Sequence, residues 1–262
     1  MNSSEVARYW EGNAETWTRL ARAGFDQYRD ALNTPEFFRI LPDINGLTGI
    51  DIGCGEGSNT RKLAALGATL HAVDIAPTFL RHAQESEDQH PLGIRYRYGD
   101  ATTLDEPDAA YDFATAFMSL MDVPQPEKAI AEAFRVLKPG GFLQFSILHP
   151  CFVPPVTKNL RDENGISYGR MVGDYFRETD GDIETWTFGQ APEELKATLE
   201  PFQVPRFHRT LSTWINTLCQ TGFVIEEINE PRADEETAKR VPKVEDTRTV
   251  PIFLQIRVRK PA

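Results

Sequence analysis

The sequence of 262 residues contains only three cysteines, Cys54, Cys151 and Cys219, and they are widely spaced. They form no CxxC pair, so the sequence predicts neither a disulfide framework nor a zinc site, and it fits a reducing cytoplasm. Long hydrophobic runs are also missing, and no run approaches the roughly 20 apolar residues that a membrane helix needs. The amino-terminal residues lack the basic and then apolar order of a signal peptide. We therefore expect a cytoplasmic protein with no membrane partner.

Positive charge is scarce relative to negative charge. The chain has 28 Lys and Arg against 39 Asp and Glu, which gives a formal net charge of -11. Such a chain has no overall electrostatic footprint for DNA, RNA or an anionic membrane, so we expect no nucleic-acid partner. Hydrophobic residues make up 40% of the sequence and include 16 phenylalanines, enough for a sizeable core. The length suits one large domain or one domain with an insertion.

One stretch organises the rest of the chain. Residues 49–60 have the sequence GIDIGCGEGSNT, in which a short apolar run is followed by three glycines at alternate positions. The pattern predicts a strand, a tight glycine turn and a helix. Free amides at the start of such a helix favour a nucleotide-like ligand. The order G-x-G-x-G, rather than G-x-G-x-x-G, disfavours a nicotinamide enzyme.

Acidic residues follow the next predicted strands. Asp74 ends the strand 68–74, and Asp100 follows the alternating strand 94–98. Asp122 lies shortly after the buried strand 111–118. Open α/β sheets bind ligands at the carboxyl ends of their strands, and a carboxylate about 20 residues past a glycine turn meets ribose hydroxyls. Asp74 could also cap the helix that begins near Pro77, and the two roles are compatible.

The remaining pattern alternates helices and strands. It predicts a helix at 124–137, a fifth strand at 142–148, a helix at 211–221 and two last strands at 223–228 and 251–258. No helix separates the last two strands, so one of them runs antiparallel to the sheet. The polar residues 231–249 between them predict a mobile surface loop. Within 150–206, an Asp-Gly turn at 179–182 predicts a hairpin of strands 173–178 and 183–188.

Residues 5–40 are predicted to be helical, with a second helix that starts at Thr34 as the cap and has Pro35 in its first turn. Trp10 and Trp17 share one helical face, and we expect them to pack this helix on the sheet. Tyr28 and Asn33 allow two interpretations that remain open: the same packing role, or a lid that closes over a bound cofactor.

Taken together, these residues resemble the class I, Rossmann-like S-adenosylmethionine-dependent methyltransferases. The segment from Asp51 to Gly57 is similar to the first motif of that family. The later motifs match in order and spacing at Asp74, at Gly99-Asp100-Ala101, at Tyr111-Asp112-Phe113 and from Arg135 to Gly141. The resemblance covers residues 47–149. It implies an α/β fold with a seven-stranded, mostly parallel sheet whose last strand is antiparallel.

The resemblance also implies a cofactor, S-adenosylmethionine, and residues that hold it. The glycines would let the backbone pass its methionine portion, Asp74 would take the ribose hydroxyls, and Asp100 would accept from the adenine amino group. The complete set of expected cofactor residues, with Tyr28 included as part of the lid, is Tyr28, Asp51, Gly53, Gly55, Gly57, Asp74, Ile75, Asp100, Ala101, Phe117 and Met118.

The expected organisation is one methyltransferase domain over residues 1–262. Its parts are a helical N-terminal lid (1–45), a cofactor-binding core (46–149), an inserted cap (150–209) and a C-terminal helix with strands (210–262). Oligomerisation is left open, with a homodimer possible. His149 and Cys151 could contribute to a metal site, but two ligands without a third do not define one, so no metal is expected.

Two histidines are candidates for the general base that a hydroxyl or amine acceptor needs. His149 is the first candidate, because it follows the fifth strand at the carboxyl edge of the sheet. His208 is the second, and it lies where the insertion rejoins the body, next to Arg209, which could hold an anionic acceptor group. A purely structural role stays open for both. No Asn/Asp-Pro-Pro-aromatic run follows the fourth strand, and the insertion is aromatic, which favours a small-molecule acceptor. The alternatives are an RNA or protein methyltransferase and a non-catalytic module that binds S-adenosylmethionine.

Overall fold

The computed structural model describes all residues from 1 to 262, and a seven-stranded sheet forms its centre. The strands of this sheet are β1 (Thr48–Ile52), β2 (Thr69–Asp74), β3 (Arg95–Tyr98), β4 (Tyr111–Phe117), β5 (Leu137–Leu148), β10 (Val224–Asn229) and β11 (Phe253–Arg259). Their order is β10-β11-β5-β4-β1-β2-β3. The pairs from β5 to β3 are parallel, whereas β11 is antiparallel to both of its neighbours. The predicted Rossmann-like sheet with an antiparallel last strand is confirmed.

Close packing fixes the register at the centre of the sheet. Gly49 in β1 lies opposite Phe113 in β4, and a Cβ atom at Gly49 would overlap the Phe113 ring. That ring in turn stacks on Phe142 of β5, with 5.6 Å between ring centroids. Glycine at position 49 therefore leaves free the space that the Phe113 ring occupies.

Helices cover both faces of the sheet. The ones that flank it are α3 (Ser58–Ala65), α4 (Pro77–Gln89), α5 (Pro126–Val136) and α7 (Leu211–Thr221), and a short 3-10 turn, Leu120–Asp122, precedes α5. The largest core cluster joins α5 and α7 to the central strands through buried side chains such as Ile130, Leu218 and Phe145. None of the helices is long and apolar enough to cross a lipid bilayer.

The N-terminal segment folds differently from the prediction in two respects. Helix α1 (Ser3–Arg22) contacts α4 and the inserted segment rather than the main sheet. Trp17 packs against Trp186 and Phe202 of that segment, with ring centroids 5.4 and 4.8 Å away. In addition, a π-helical turn (Arg29–Asn33) runs directly into α2 (Thr34–Arg39), so Thr34 is the first residue of α2 and not its cap.

The predicted hairpin in the inserted segment is wrong. Four strands form there, β6 (Val156–Arg161), β7 (Ser167–Gly173), β8 (Asp182–Trp186) and β9 (Phe202–Arg206), with a short α6 (Glu193–Lys196) before β9. They make two separate antiparallel pairs, β6 with β7 and β8 with β9. The Asp-Gly sequence at 180–181 therefore precedes β8 without joining it to β7. Strand β8 pairs with β9, which follows it after residues 187–201, because the rings of Trp186 and Phe202 pack together with Trp17.

The predicted surface loop at 231–249 is also structured. It contains helix α8 (Glu235–Arg240) and a 3-10 helix (Pro242–Arg248), and Ala238 and Val244 are buried. Asp234 caps α8 by accepting a hydrogen bond of 2.6 Å from the Thr237 amide. Polar composition concealed this element, because a short helix needs only a few buried apolar residues to be anchored.

Candidate functional site

A cavity of about 630 Å³ lies between the carboxyl ends of β1 to β4 and the inserted segment. The N-terminal helices and the 242–248 helix also contribute to its wall. Ten of the eleven predicted cofactor residues line it: Tyr28, Asp51, Gly53, Gly55, Asp74, Ile75, Asp100, Ala101, Phe117 and Met118. The topology therefore brings together residues that are up to 90 positions apart, as expected for the ends of parallel strands.

The glycine loop leaves β1 through three left-handed residues. Gly53, Gly55 and Gly57 have φ angles of 73°, 57° and 83°, a region that side chains with a Cβ atom rarely occupy. Their surroundings differ. A Cβ atom at Gly53 would overlap the side chain of Ser119, whereas the space around Gly55 is open for 4 Å. Gly57 does not line the cavity, and a Cβ atom there would lie 2.6 Å from the Tyr96 hydroxyl. Only the first two glycines border the site.

Asp74 ties the loop to β2. One carboxylate oxygen accepts from the Gly55 amide at 2.8 Å, and the other accepts from the Ala76 amide at 2.9 Å. Asp74 is not the cap of α4, because the N-cap is Ala76 and no side chain caps this helix. The Asp74 carboxylate instead holds the amide of that cap residue and also lines the cavity. Burial raises the pKa of Asp74 to about 6. Hydroxyl donors from a ligand would stabilise the ionised form, because each carboxylate oxygen can accept more than one hydrogen bond.

The two other predicted acids have different environments. Asp51 is buried, and its carboxylate accepts from the hydroxyls of Thr60 (2.6 Å) and Thr115 (2.8 Å). Asp100 is only partly buried, and one of its oxygens accepts from the amide and the hydroxyl of Thr102, both at 2.8 Å. Its other oxygen has no partner within the protein. Asp51 is therefore suited to orienting the loop, and Asp100 to receiving a ligand donor.

Several features fit S-adenosylmethionine at this end of the cavity. The Gly55 α-carbon borders open space that a Cβ atom would fill, and Asp74 and Asp100 can accept from ribose hydroxyls and an adenine amine. The Asn33 side chain adds a buried amide nitrogen without any hydrogen-bond partner, also at the cavity wall. Carboxylates and unpaired donors at these places suit a ligand with hydroxyl, amine and carboxylate groups.

The turn after β4 carries strain and an isolated carboxylate. Met118 has a φ angle of 55°, which is costly for a residue with a side chain and is common at functional sites. Its amide donates to the Ser146 carbonyl oxygen at 2.9 Å, which holds the turn against β5. Four residues later, Asp122 lines the cavity without a hydrogen-bond partner for its carboxylate. Burial raises the pKa of Asp122 well above its usual value.

The structure separates the two candidate bases. His208 lines the cavity, and its Nε2 atom lies 2.8 Å from the Tyr175 carbonyl oxygen. A carbonyl oxygen only accepts, so Nε2 carries the proton and Nδ1 keeps its lone pair. Burial lowers the pKa of His208, which keeps the ring neutral at pH 7. This is the protonation state that a general base requires.

His149 does not line the cavity. Its Nε2 atom pairs with Glu230 at 2.8 Å, and its Nδ1 atom accepts from the Cys151 amide at 3.2 Å. The ring is 2% exposed, and burial lowers its pKa. Both ring nitrogens are thus occupied in fixing the turn after β5. The structure does not bring the first candidate base to the site, although its neighbours Leu148 and Pro150 line the cavity.

Arg209 lines the cavity, but its guanidinium group donates to three carbonyl oxygens, those of Thr179 (2.7 Å), His208 (3.0 Å) and Pro124 (3.3 Å). It holds backbone in place. Sequence reasoning missed other polar residues of the wall, which come from β7, β8, β9 and the 242–248 helix: Arg170, Glu184, Arg206, Lys243 and Asp246. No motif marks these positions. Their positions in the cavity wall depend on the pairing of β6 with β7 and on the 242–248 helix, which the sequence pattern does not predict.

The chain is similar to known methyltransferases in both sequence and fold. The fold and cavity define a Rossmann-like domain with a nucleotide-type cofactor site, and residues 50–145 match a family model described as a methyltransferase domain. Residues of this chain are 32% identical over 115 positions to a ubiquinone biosynthesis O-methyltransferase of Methylococcus capsulatus, covering 44% of this chain and 48% of that relative. A protein of the same name from Coxiella burnetii is 31% identical over 109 positions, 42% of this chain and 47% of the relative. The chain spans about half the length of the curated relatives that it matches.

Solved structures extend the likeness over most of the chain. An S-adenosylmethionine-dependent methyltransferase from Mesorhizobium loti superposes with a TM-score of 0.70 and 25% identity, covering 86% of this chain and 96% of the other. A phosphoethanolamine N-methyltransferase from Haemonchus contortus, in complex with S-adenosyl-L-methionine, shares the fold with a TM-score of 0.56 and 15% identity, over 88% of this chain and 52% of the other. The matched domain and the likeness to the Mesorhizobium loti enzyme support a class I S-adenosylmethionine-dependent methyltransferase, with S-adenosylmethionine as its cofactor.

Proposed function

We propose that this chain transfers a methyl group from S-adenosylmethionine to a hydroxyl group of a small-molecule acceptor. The observation that carries the proposal is the continuity of the cavity, whose wall includes both the glycine loop and residues 204–209 of the inserted segment. A cofactor at the glycine loop and a small acceptor can therefore share one space. The curated relatives are named as O-methyltransferases, which supports oxygen as the methylated atom.

Methyl transfer from a sulfonium is an in-line displacement with a donor that is already activated, so the protein has to align the acceptor and remove its proton. His208 suits the second task. Its Nε2 proton is held by the Tyr175 carbonyl oxygen, and its Nδ1 lone pair has no partner within the protein. The acceptor oxygen would form a bond to the methyl carbon as the sulfur–methyl bond breaks, and S-adenosylhomocysteine would leave as a neutral thioether. Nδ1 would accept the hydroxyl proton. A positioned base of this kind contributes about 10²- to 10⁴-fold to the rate.

The parts around the cavity have complementary roles in this proposal. Residues 1–45 act as a lid and residues 150–209 as a cap, and together they exclude water from the reacting groups. The aromatic cluster of Trp17, Trp186, Phe188 and Phe202 joins the two parts, with ring centroids 4.8 to 5.7 Å apart. Trp17, Trp186 and Phe188 also line the cavity. An apolar acceptor would gain from contact with these rings.

The test is acceptor-dependent formation of S-adenosylhomocysteine by the purified chain, measured with a panel of small phenols and alcohols. We expect His208→Gln to lower turnover by about 10²- to 10⁴-fold while cofactor affinity stays the same. The matched variant His149→Gln should keep its turnover but lose about 1–3 kcal/mol of stability, because a buried hydrogen-bonded group is disturbed. Full turnover in the His208 variant would remove this residue from the mechanism. Intact cofactor binding with no methyl transfer to any acceptor would contradict the proposed activity.

A further inference from the structure

We propose that the acceptor carries a carboxylate, and that the guanidinium group of Arg170 binds it in the part of the cavity formed by β7 and the 242–248 helix. This inference rests on the proposed function, because it names the chemical class of the acceptor for the same cavity. The carboxylate is an anchor here, distinct from the hydroxyl that receives the methyl group. The acceptor is then a small apolar or aromatic acid.

Arg170 is the first observation. It lines the cavity from β7, and its Nε atom donates to the Thr157 hydroxyl at 2.7 Å. Neither of its Nη atoms has a hydrogen-bond partner, and no carboxylate oxygen lies within 4.0 Å. Burial lowers the pKa of Arg170, although an arginine of this kind stays charged at neutral pH. A partly buried guanidinium group with two free nitrogens matches the two oxygens of a carboxylate.

The other arginines of the cavity wall are already engaged. Arg29 pairs with Asp30 at 2.8 Å, and Arg206 pairs with Glu184 at 3.4 Å and donates to the Val153 carbonyl oxygen. Arg209 donates to three carbonyl oxygens, as described above. Arg170 is thus the arginine of this wall whose two terminal nitrogens are both free for a ligand.

The local charge balance also favours an anion. Asp246 is the acid whose charge acts on Arg170. It is 3% exposed, and it accepts from the Tyr28 hydroxyl at both oxygens (2.9 and 2.8 Å) and from the Asn159 amide (2.8 Å). Lys243 adds a second cation, with its Nζ atom 5.3 Å from the centroid of the Tyr28 ring. The side chains of Arg170, Lys243 and Asp246 thus sum to one positive charge, and the Asp246 carboxylate already accepts three hydrogen bonds.

An apolar surface connects this place to the cofactor side. Tyr28, Val153 and Phe253 belong to one hydrophobic cluster with Met118, the residue at the turn after β4, and all four line the cavity. The Tyr28 and Phe253 rings meet edge to face, with centroids 6.2 Å apart. A ligand that reaches from Met118 to Arg170 would therefore cross aromatic and aliphatic side chains before its carboxylate meets the guanidinium group.

The experiment compares acids with their uncharged amides. The probes are benzoate, phenylacetate and 3-phenylpropionate with the three matching primary amides, titrated by calorimetry into the full chain saturated with S-adenosylhomocysteine. We expect at least one acid to bind about tenfold or more tightly than its amide, since a hydrogen bond to a charged group contributes that much. Arg170→Gln should bring the pair to within about threefold. Arg177→Gln is the matched control, because Arg177 pairs with Asp174 and Asp182 away from the cavity and should keep the preference.

Equal binding of acids and amides by the native chain would overturn the carboxylate site, and so would an unchanged preference in the Arg170→Gln variant. The comparison of acids with amides in the native chain remains decisive if the Arg170→Gln variant does not fold. Arg170→Lys gives a second variant, because it keeps the positive charge but lacks the two terminal nitrogens of the guanidinium group. Failure of this inference is distinguishable from failure of the proposed function. Methyl transfer to neutral phenols without an acid preference refutes only the carboxylate site, whereas an acid preference without any methyl transfer refutes only the activity.

Discussion

Replacing Gly55 with alanine tests whether the glycine loop is shaped for a ligand or only for the turn. Gly55 has a φ angle of 57°, and the space where its Cβ atom would lie is open for 4 Å. Gly46, in the connection before β1, has a φ angle of 76° and is equally open, but it does not line the cavity. The two positions therefore share the backbone strain and differ in what their Cβ atoms would occupy.

The expected costs follow from this geometry. A left-handed alanine costs roughly 1–2 kcal/mol relative to glycine, so Gly55→Ala and Gly46→Ala should lose about the same stability. Only at Gly55 does the added methyl enter space that we expect the cofactor to occupy. Crowding by one methyl costs about 1–3 kcal/mol, which is a loss of about 5- to 150-fold in affinity. Gly53→Ala should be less stable than both, because its Cβ atom would also overlap the Ser119 side chain.

Two measurements separate these effects. Denaturant unfolding gives the free energy of unfolding of the three variants, and calorimetric titration with S-adenosylhomocysteine gives their affinity for the cofactor product. The reasoning predicts equal stability for the Gly55 and Gly46 variants, but weaker binding only for the first. Native affinity in Gly55→Ala would refute the placement of the cofactor against this glycine. Weakened binding in Gly46→Ala would show instead that loop strain, and not lost space, controls affinity.

Two further predictions concern carboxylates. Burial raises the pKa of Asp74 from 3.8 to about 6, so the contribution of this group to stability is complete below about pH 4 and is lost as the pH rises through about 6. Cofactor affinity, measured by titration from pH 5 to 8, should rise as the pH passes about 6, because the ionised carboxylate accepts from the ribose hydroxyls. Asp74→Asn should bind the cofactor more weakly and show no such rise with pH. A rise that persists in the Asp74→Asn variant would exclude Asp74 as its source. Glu87 accepts from the amides of Leu92 (2.6 Å), Gly93 (2.7 Å) and Ile94 (3.2 Å) and pairs with Arg61 at 2.6 Å. Glu87→Ala should lose about 3–5 kcal/mol in denaturant unfolding, whereas the exposed Glu85→Ala should change little, and similar losses in both would contradict the buried role.

Ten of the eleven residues expected to hold the cofactor line one cavity, because local constraints place them there. Gly53 and Gly55 are needed for positive φ angles, Asp74 follows its strand at a fixed spacing, and parallel strands bring their carboxyl ends to one edge. Each of these rules concerns residues that are close in sequence or adjacent in the sheet. The antiparallel last strand followed in the same way, from the absence of a helix between the two final strands.

No comparable local constraint places the residues that we propose for the acceptor. Arg170 reaches the cavity only because β7 pairs with β6, and the sequence pattern had placed a strand at 173–178 and paired it with 183–188. Asp246 and Lys243 reach it from a helix that polar composition had concealed. The sequence pattern favours His149 over His208 as the base, because His149 directly follows the fifth strand. In the structure, His208 contacts the Tyr175 carbonyl oxygen through one ring nitrogen and keeps the other free. Glu230 and the Cys151 amide occupy both ring nitrogens of His149. The groups that would select the acceptor therefore depend on tertiary pairing, and a substitution in β6 that shifts its register would move Arg170 without touching any motif.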